Sequence, residues 1–159
     1  MAAGATPGHV FITITKTNGS QNVTQSFGFY PQNGPKSISM GFVPQKVVDD
    51  QDHEYNASIN MNIQQADFQN IKNAAILAAT FNYNLAVNNC ADFGLELFNL
   101  ARAPSDRIYP APMPLASIFN NSPNSLYFHL LMMKNNNHPE AANIQIGVFN
   151  APQSHGPCP

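Results

Sequence analysis

The stretch Asn88-Asn89-Cys90-Ala91-Asp92-Phe93 decides how the middle of this chain folds and which chemistry it carries. Asparagine is a preferred N-cap residue, so Asn89 predicts the start of a helix with Cys90 at its first position. The sulfur then lies near the partial positive charge of the helix N-terminus, a setting that favours the nucleophilic thiolate. With Asn89 as the cap, the free backbone N–H groups around Ala91 are predicted to stabilise an oxyanion formed when Cys90 attacks a carbonyl.

A cysteine nucleophile needs a base, and His9 is the best candidate of the five histidines. Residues 10–15 alternate between Val or Ile and other side chains, the period of a half-buried strand, so His9 opens a strand. Asn18-Gly19 follows and predicts a hairpin turn. The other histidines lie beside acidic residues, in an apolar run, or in Asn- or Pro-rich segments: His53, His129, His138 and His155.

The hairpin also predicts a partner for the imidazole. If Asn18 and Gly19 are the two turn residues, Phe11 faces Ser26 and His9 faces Gly28. Ser26 then lies on the same face as His9, as do Thr24 and Tyr30. Ser26 is the nearest of the three and is the predicted third residue that orients the imidazole. Asp92 is the alternative, although an acid in the first turn of a helix also serves simply to complement the helix dipole.

The remaining patterns predict an α+β fold in which a small antiparallel sheet packs against two helices, with the cysteine at a helix N-terminus. Residues 1–151 are predicted to form one domain, followed by a Pro/Gly-rich tail at 152–159. The predicted helices are 65–81 and 91–101, and the predicted later strands are 55–63, 125–133 and 144–149.

Composition excludes several function classes. Charged residues make up only 10% of the chain, with seven Lys plus Arg against nine Asp plus Glu, so nothing in it predicts binding to nucleic acid. No stretch approaches the about 20 apolar residues of a membrane span, and residues 1–8 do not resemble a secretory signal. The chain is therefore expected to be exported without a cleaved signal, to be cytosolic, or to be cut from a larger protein.

Neither a metal nor a cofactor is predicted. The histidines and cysteines do not stand at ligand spacings such as Cys-x-x-Cys, and Gly-rich phosphate loops are absent from the sequence. A disulfide between Cys90 and Cys158 is an alternative fate for the two thiols, but the Pro/Gly-rich surroundings of Cys158 are a poor setting for disulfide geometry.

Three segments resemble the circularly permuted papain-like group, in which the histidine strand precedes the cysteine helix. They are Gly8-His9-Val10-Phe11-Ile12, Ser26-Phe27-Gly28-Phe29-Tyr30-Pro31 and the run from Tyr83 to Phe93. That group includes NlpC-type amidases and peptidases, lecithin retinol acyltransferase-like enzymes and bacterial effector domains. The resemblance covers roughly residues 8–101 and implies that His9 is the general base and Cys90 the nucleophile.

The resemblance leaves three functions open. The first is a thiol hydrolase that cleaves an amide bond, such as one in peptidoglycan. It would be a bacterial effector or toxin that is delivered into a target cell and inhibited by an immunity protein. The second is an acyltransferase that uses the same pair and would be favoured by a broad apolar groove beside Cys90. The third is a non-catalytic binding module, which a buried Cys90 would favour.

Overall fold

The computed structural model describes residues 8–34, 41–110 and 121–154, and it has the predicted α+β class. Within these ranges, five strands and three α-helices follow one another in the order β1, β2, β3, β4, α1, α2, α3, β5. The strands are β1 Phe11–Asn18, β2 Gln21–Pro31, β3 Gln45–Asp49, β4 Glu54–Ile59 and β5 Ile144–Asn150. The helices are α1 Gln65–Ala78, α2 Cys90–Leu100 and α3 Pro123–Asn135.

The first hairpin forms as predicted, but its register is displaced by two residues. Asn18 pairs with Gln21, so Gly19 and Ser20 make the turn, and Gly19 takes a φ of 61° that favours glycine. Ser26 consequently pairs with Thr13 rather than with Phe11. Because a shift of two residues preserves the alternation of side chains, the predicted faces of both strands are retained while the predicted partners are wrong.

The strands form two sheets rather than the single sheet that was predicted. One has the order β1-β2-β3 and the other pairs β4 with β5, and both are antiparallel. Strand β3 was not recognised in the sequence, because it is only five residues long and follows a segment rich in Pro and Gly. It brings the acidic run at its end, Asp49-Asp50, beside β2.

Helix α2 is the central element of the fold. Its buried side chains contribute to two hydrophobic clusters, one beneath the three-stranded sheet and one around α3 and β5. Phe93 and Leu97 pack in the first cluster with Phe29, and Leu95 packs in the second with Leu130. Helix α2 is thus held from both sides, which fixes the position of Cys90 at its start.

The segment 125–133 was predicted to be a strand and is instead part of helix α3. Ser122 caps this helix by accepting from the Ser125 backbone N–H at 3.1 Å, and Pro123 occupies the first turn, where its missing N–H is harmless. The buried residues of α3 include Leu130 and Met133, three residues apart as on one face of a helix. Ser122-Pro123 is a typical start signal for a helix, and it indicates the structure of this segment better than the apolar run does.

The described part of the C-terminal tail is bound to the turn between β3 and β4. The backbone N–H of Ala151 donates to the carbonyl of His53 at 2.9 Å, and the Ser154 hydroxyl donates to the Asp49 carboxylate at 2.7 Å. The predictions about His155 and Cys158 lie outside the described residues. In the described part of the chain, no helix has the length and apolar character needed to cross a membrane.

Candidate active site

Cys90 lies at the first position of α2, as the sequence predicts, and it is a free cysteine with 6% exposure. Asn89 caps the helix, accepting at its side-chain oxygen from the backbone N–H groups of Ala91 at 2.7 Å and Asp92 at 3.2 Å. Its amide nitrogen donates to the carbonyls of Leu85 and Asn121 at 3.0 and 2.9 Å. Asn89 therefore ties the loop before α2 and the chain before α3 to the helix end that carries Cys90.

Asp92 completes this cap and does not contact His9. Its carboxylate accepts from the backbone N–H of Asn89 at 3.0 Å and from the side chain of Asn121 at 2.7 Å. Burial raises the pKa of Asp92, although these two hydrogen bonds act in the opposite direction. The interpretation of Asp92 as a structural first-turn acid fits the structure better than a role in orienting the histidine.

His9 lies between Cys90 and an acid that the sequence analysis missed, Asp50. The Nε2 atom of His9 donates to Asp50 Oδ2 at 3.2 Å, and the His9 side chain is only 12% exposed. Burial tends to lower the pKa of His9, but hydrogen bonds to Asp50 and Cys90 and the charges of both outweigh it and raise the pKa to about 9. Because Nε2 is engaged by Asp50, Nδ1 is the nitrogen left for Cys90.

Asp50 is held rigidly at the end of β3. Its backbone N–H donates to the carbonyl of Ser26 at 3.0 Å, and Oδ1 of its carboxylate accepts from the Tyr30 hydroxyl at 2.6 Å. The Tyr30 ring also stacks on the imidazole of His9 at a centroid distance of 4.1 Å. Burial tends to raise the pKa of Asp50, yet hydrogen bonds from His9 and Tyr30 lower it overall, so the group is a stable anion beside the histidine.

Ser26, the predicted third residue, has a different part in the site. Its hydroxyl is hydrogen-bonded to Thr13 at 2.8 Å, and the residue is fully buried. The two-residue shift of the hairpin explains this change, since it places Thr13 opposite Ser26 and moves His9 toward Tyr30. Ser26 supports the site through its backbone carbonyl, which anchors Asp50, rather than through its side chain.

The backbone N–H of Ala91 is not free to stabilise an oxyanion, contrary to the prediction, because it already donates to Asn89. Tyr83 is the polar group that lies against Cys90 instead. Burial first, and then the charge of the neighbouring Cys90, raise the pKa of Tyr83. The Tyr83 ring is buried and stacks on Phe29 at 5.5 Å.

A second histidine lies at the edge of the site. His53 Nδ1 is 3.9 Å from Asp50 Oδ1, and its ring lies 5.4 Å from that of His9. At 40% side-chain exposure His53 is more open to solvent than His9. Within the described ranges, no three His, Cys, Asp or Glu side chains are grouped as metal ligands.

Sequence signals for the missed residues were present but weak. Asp50 follows Val47-Val48 in a chain that has few acids, so pairing of that short segment with β2 would have pointed to it. Tyr83 stands seven residues before Cys90 and reaches it only because the intervening loop turns back through a backbone pair between Asn84 and Asn88. No local periodicity indicates such a return.

Comparisons of the chain with protein-family models, with curated proteins and with solved structures give no match. The chemistry of the site is therefore inferred from its own geometry.

Proposed function

We propose that this protein is a thiol hydrolase that cleaves an amide bond through an acyl-enzyme on Cys90, within a permuted papain-like fold. The observation that carries the proposal is the contact series Cys90, His9, Asp50, in which the histidine is buried, hydrogen-bonded to a carboxylate at 3.2 Å and adjacent to a thiol at a capped helix N-terminus. A nucleophile, a base and a group that orients the base are the three parts that such catalysis needs.

The reaction follows from these positions. His9 Nδ1 accepts the thiol proton, and the Cys90 thiolate attacks the carbonyl carbon of the amide. The imidazolium then donates this proton to the leaving amine as the C–N bond breaks, which leaves a thioester on Cys90. Water, deprotonated by His9, hydrolyses the thioester and returns the thiol. Asp50 stabilises the imidazolium through Nε2, and we assign the Tyr83 hydroxyl, which lies against Cys90, as the donor to the oxyanion.

The proposed substrate is a peptide or a peptidoglycan fragment, and the proposed setting is that of an effector delivered into a target cell and neutralised by an inhibitory protein. The nearly uncharged composition and the resemblance of the His9 and Cys90 segments to permuted NlpC-type domains support this setting. Purified muropeptides with intact stem peptides are the first substrates to test, and release of new amino groups is the readout. Activity that is lost in Cys90→Ser and in His9→Ala supports the proposal; activity that survives in Cys90→Ser refutes it.

One observation favours an acyltransferase as the second candidate. A cleft beside His9 is lined largely by apolar side chains, among them Leu95, Phe98 and Leu126. An alkyl chain bound there would be removed from water, which is favourable at about 25 cal/mol per Å². Transfer of a decanoyl group from a decanoyl thioester to Cys90 and on to a glycerol or amine acceptor would identify this activity.

The burial of Cys90 favours the third candidate, a non-catalytic module, because an attacking thiol must be reached by substrate. Against it stands the neighbouring His9, which lines the open cleft and whose pKa the Cys90 side chain helps to raise. Alkylation of Cys90 by a small reagent distinguishes the two functions, since an inert thiol in the folded protein fits only the binding module.

A further inference from the structure

A long cleft lies between the two sheets and reaches His9 of the candidate catalytic pair. Its volume is about 1780 Å³, and both His9 and Tyr30 line it. Pockets for small molecules typically measure about 300–1,000 Å³, so this cleft has room for a longer ligand. Glu54 is the only Asp, Glu, Lys or Arg among its described lining residues, which favours a ligand without strong charge.

The cleft is bordered by two strand edges. Strand β1 ends the β1-β2-β3 sheet, and β4 pairs with β5 in a sheet of two, so each has one side that no described strand covers. Every residue of 8–15 and of 53–63 lines the cleft. Because side chains alternate between the two faces of a strand, an unbroken run of lining residues means that the edge of the strand borders the cleft.

We infer that the cleft binds an extended peptide as an additional strand between β1 and β4, which delivers a backbone amide of that peptide to Cys90 and His9. This inference rests on the proposed function and names its substrate class. Addition of a strand to an open sheet edge is an established mode of peptide binding, in which backbone hydrogen bonds supply affinity. Here a single inserted strand would pair on both sides and join the two sheets.

The edges decide between a peptide and an alkyl chain. An open strand edge presents backbone N–H and C=O groups. Removing these groups from water without a hydrogen-bonding partner costs free energy. A peptide strand supplies the matching donors and acceptors, whereas an alkyl chain in the same place would leave them unpaired. The partly buried apolar residues of α2 and α3 in the cleft, including Phe98 and Leu126, fit alternate side chains of the same peptide.

Chloromethyl ketones that alkylate Cys90 test the inference on the full chain. The main probe is an acetylated tetrapeptide of threonine, valine, threonine and alanine that ends in a chloromethyl ketone. Two analogues of this peptide are N-methylated, one at the odd-numbered and one at the even-numbered residues. Each lacks the N–H groups that would bond to one of the two neighbouring strands. Chloroacetone serves as the small reagent without a peptide, and undecyl chloromethyl ketone as the alkyl probe.

We expect the tetrapeptide to label Cys90 at least tenfold faster than chloroacetone. N-methylation should reduce that advantage in each analogue, because a strand paired on both sides uses the N–H groups of both alternations. Amide exchange of the labelled protein should slow in β1 and β4. The outer edge of β3, Gln45–Asp49, is the internal control and should not change. Labelling by both N-methylated analogues as fast as by the tetrapeptide itself, faster labelling by the alkyl probe than by the tetrapeptide, or slowing of exchange confined to β3 would overturn the inference.

Two outcomes separate this inference from the proposed function. If chloroacetone labels Cys90 readily but the tetrapeptide has no advantage, the peptide cleft is wrong while the catalytic pair stands. If chloroacetone does not label Cys90 in the folded protein, the proposed function fails and the inference fails with it. If the amides on the open edges of β1 and β4, which do not bond to β2 or β5, already exchange slowly in the free protein, the chain's own residues fill the cleft and the inference is overturned.

Discussion

The Asp50 carboxylate lies against the α-carbon of Gly28, in space that any other side chain would fill. A β-carbon built at Gly28 would overlap both Asp50 Oδ2 and His9 Nε2, the two atoms of the hydrogen bond at the centre of the site. Gly28 belongs to β2 and pairs with Phe11 of β1 on one side and Val48 of β3 on the other. Glycine at this position thus allows His9 and Asp50 to meet across the middle strand of the sheet.

Gly28→Ala is therefore expected to separate His9 from Asp50. We expect alkylation of Cys90 at pH 6 to slow at least tenfold. The free energy of unfolding should fall by about 1–3 kcal/mol, the usual effect of overpacking. The alkylation rate and a denaturant titration measure the two effects. Gly94→Ala is the matched control, since its β-carbon would meet only Val10, the residue before β1. Equal alkylation rates in the two variants would contradict the role given to Gly28.

Asp50→Asn tests the orienting carboxylate. Removal of the charge that helps to hold the imidazolium should lower the midpoint of the His9 titration from about 9 by at least about one pH unit. The C–H resonances of the imidazole report this midpoint directly by NMR. Asp52→Asn is the control, because Asp52 is exposed, bonds to Gln153 and has a φ of 60° that asparagine tolerates. A midpoint in Asp50→Asn that matches the wild type would count against the pair.

The dependence of stability on pH follows from the same interaction. The pKa of His9 is raised from 6.5 to about 9 on folding, so its contribution is fully present below pH 6.5 and is lost as the pH rises through 9. Across that window the wild type should lose up to about 3 kcal/mol more unfolding free energy than His9→Gln. Denaturant titrations between pH 6 and 9.5 give the comparison. Parallel curves would mean that folding does not shift the His9 pKa.

Asn89→Ala should weaken the anchor of α2. The side chain of Asn89 makes two cap hydrogen bonds and donates to two carbonyls, so its loss is expected to destabilise the protein by about 2 kcal/mol or more. Asn88→Ala removes only a hydrogen bond to the carbonyl of Asn82 near the surface and should cost less than about 1 kcal/mol. Thermal melts of the two variants provide the test, and similar losses in both would argue against the anchor.

The sequence predicted the parts of the site that depend on local signals. The cap at Asn89, the helix that begins at Cys90 and the hairpin after His9 each follow from short motifs, and the structure confirms them. The register of the hairpin was wrong by two residues, because both Asn18-Gly19 and Gly19-Ser20 are acceptable turn pairs. That difference alone moved the imidazole away from Ser26.

The residues that complete the site depend on contacts between distant parts of the chain. Asp50 reaches His9 through the pairing of β3 with β2, and a strand of five residues after a Pro-rich segment gives little periodicity to detect. The apolar run at 125–133 predicts a strand, but the Ser122 cap starts a helix there that spans 123–135. The cleft between the two sheets likewise depends on which strands pair, and no single segment predicts it.

The most direct test of the catalytic pair is the rate at which iodoacetamide alkylates Cys90, followed by mass spectrometry from pH 5 to 10 in the wild type and in His9→Ala. If Cys90 and His9 act as an ion pair, the wild-type thiol will alkylate rapidly at pH 6 and His9→Ala will lose that reactivity. A Cys90 that reacts no faster than the thiol of the unfolded chain, or equally fast without His9, would contradict the account.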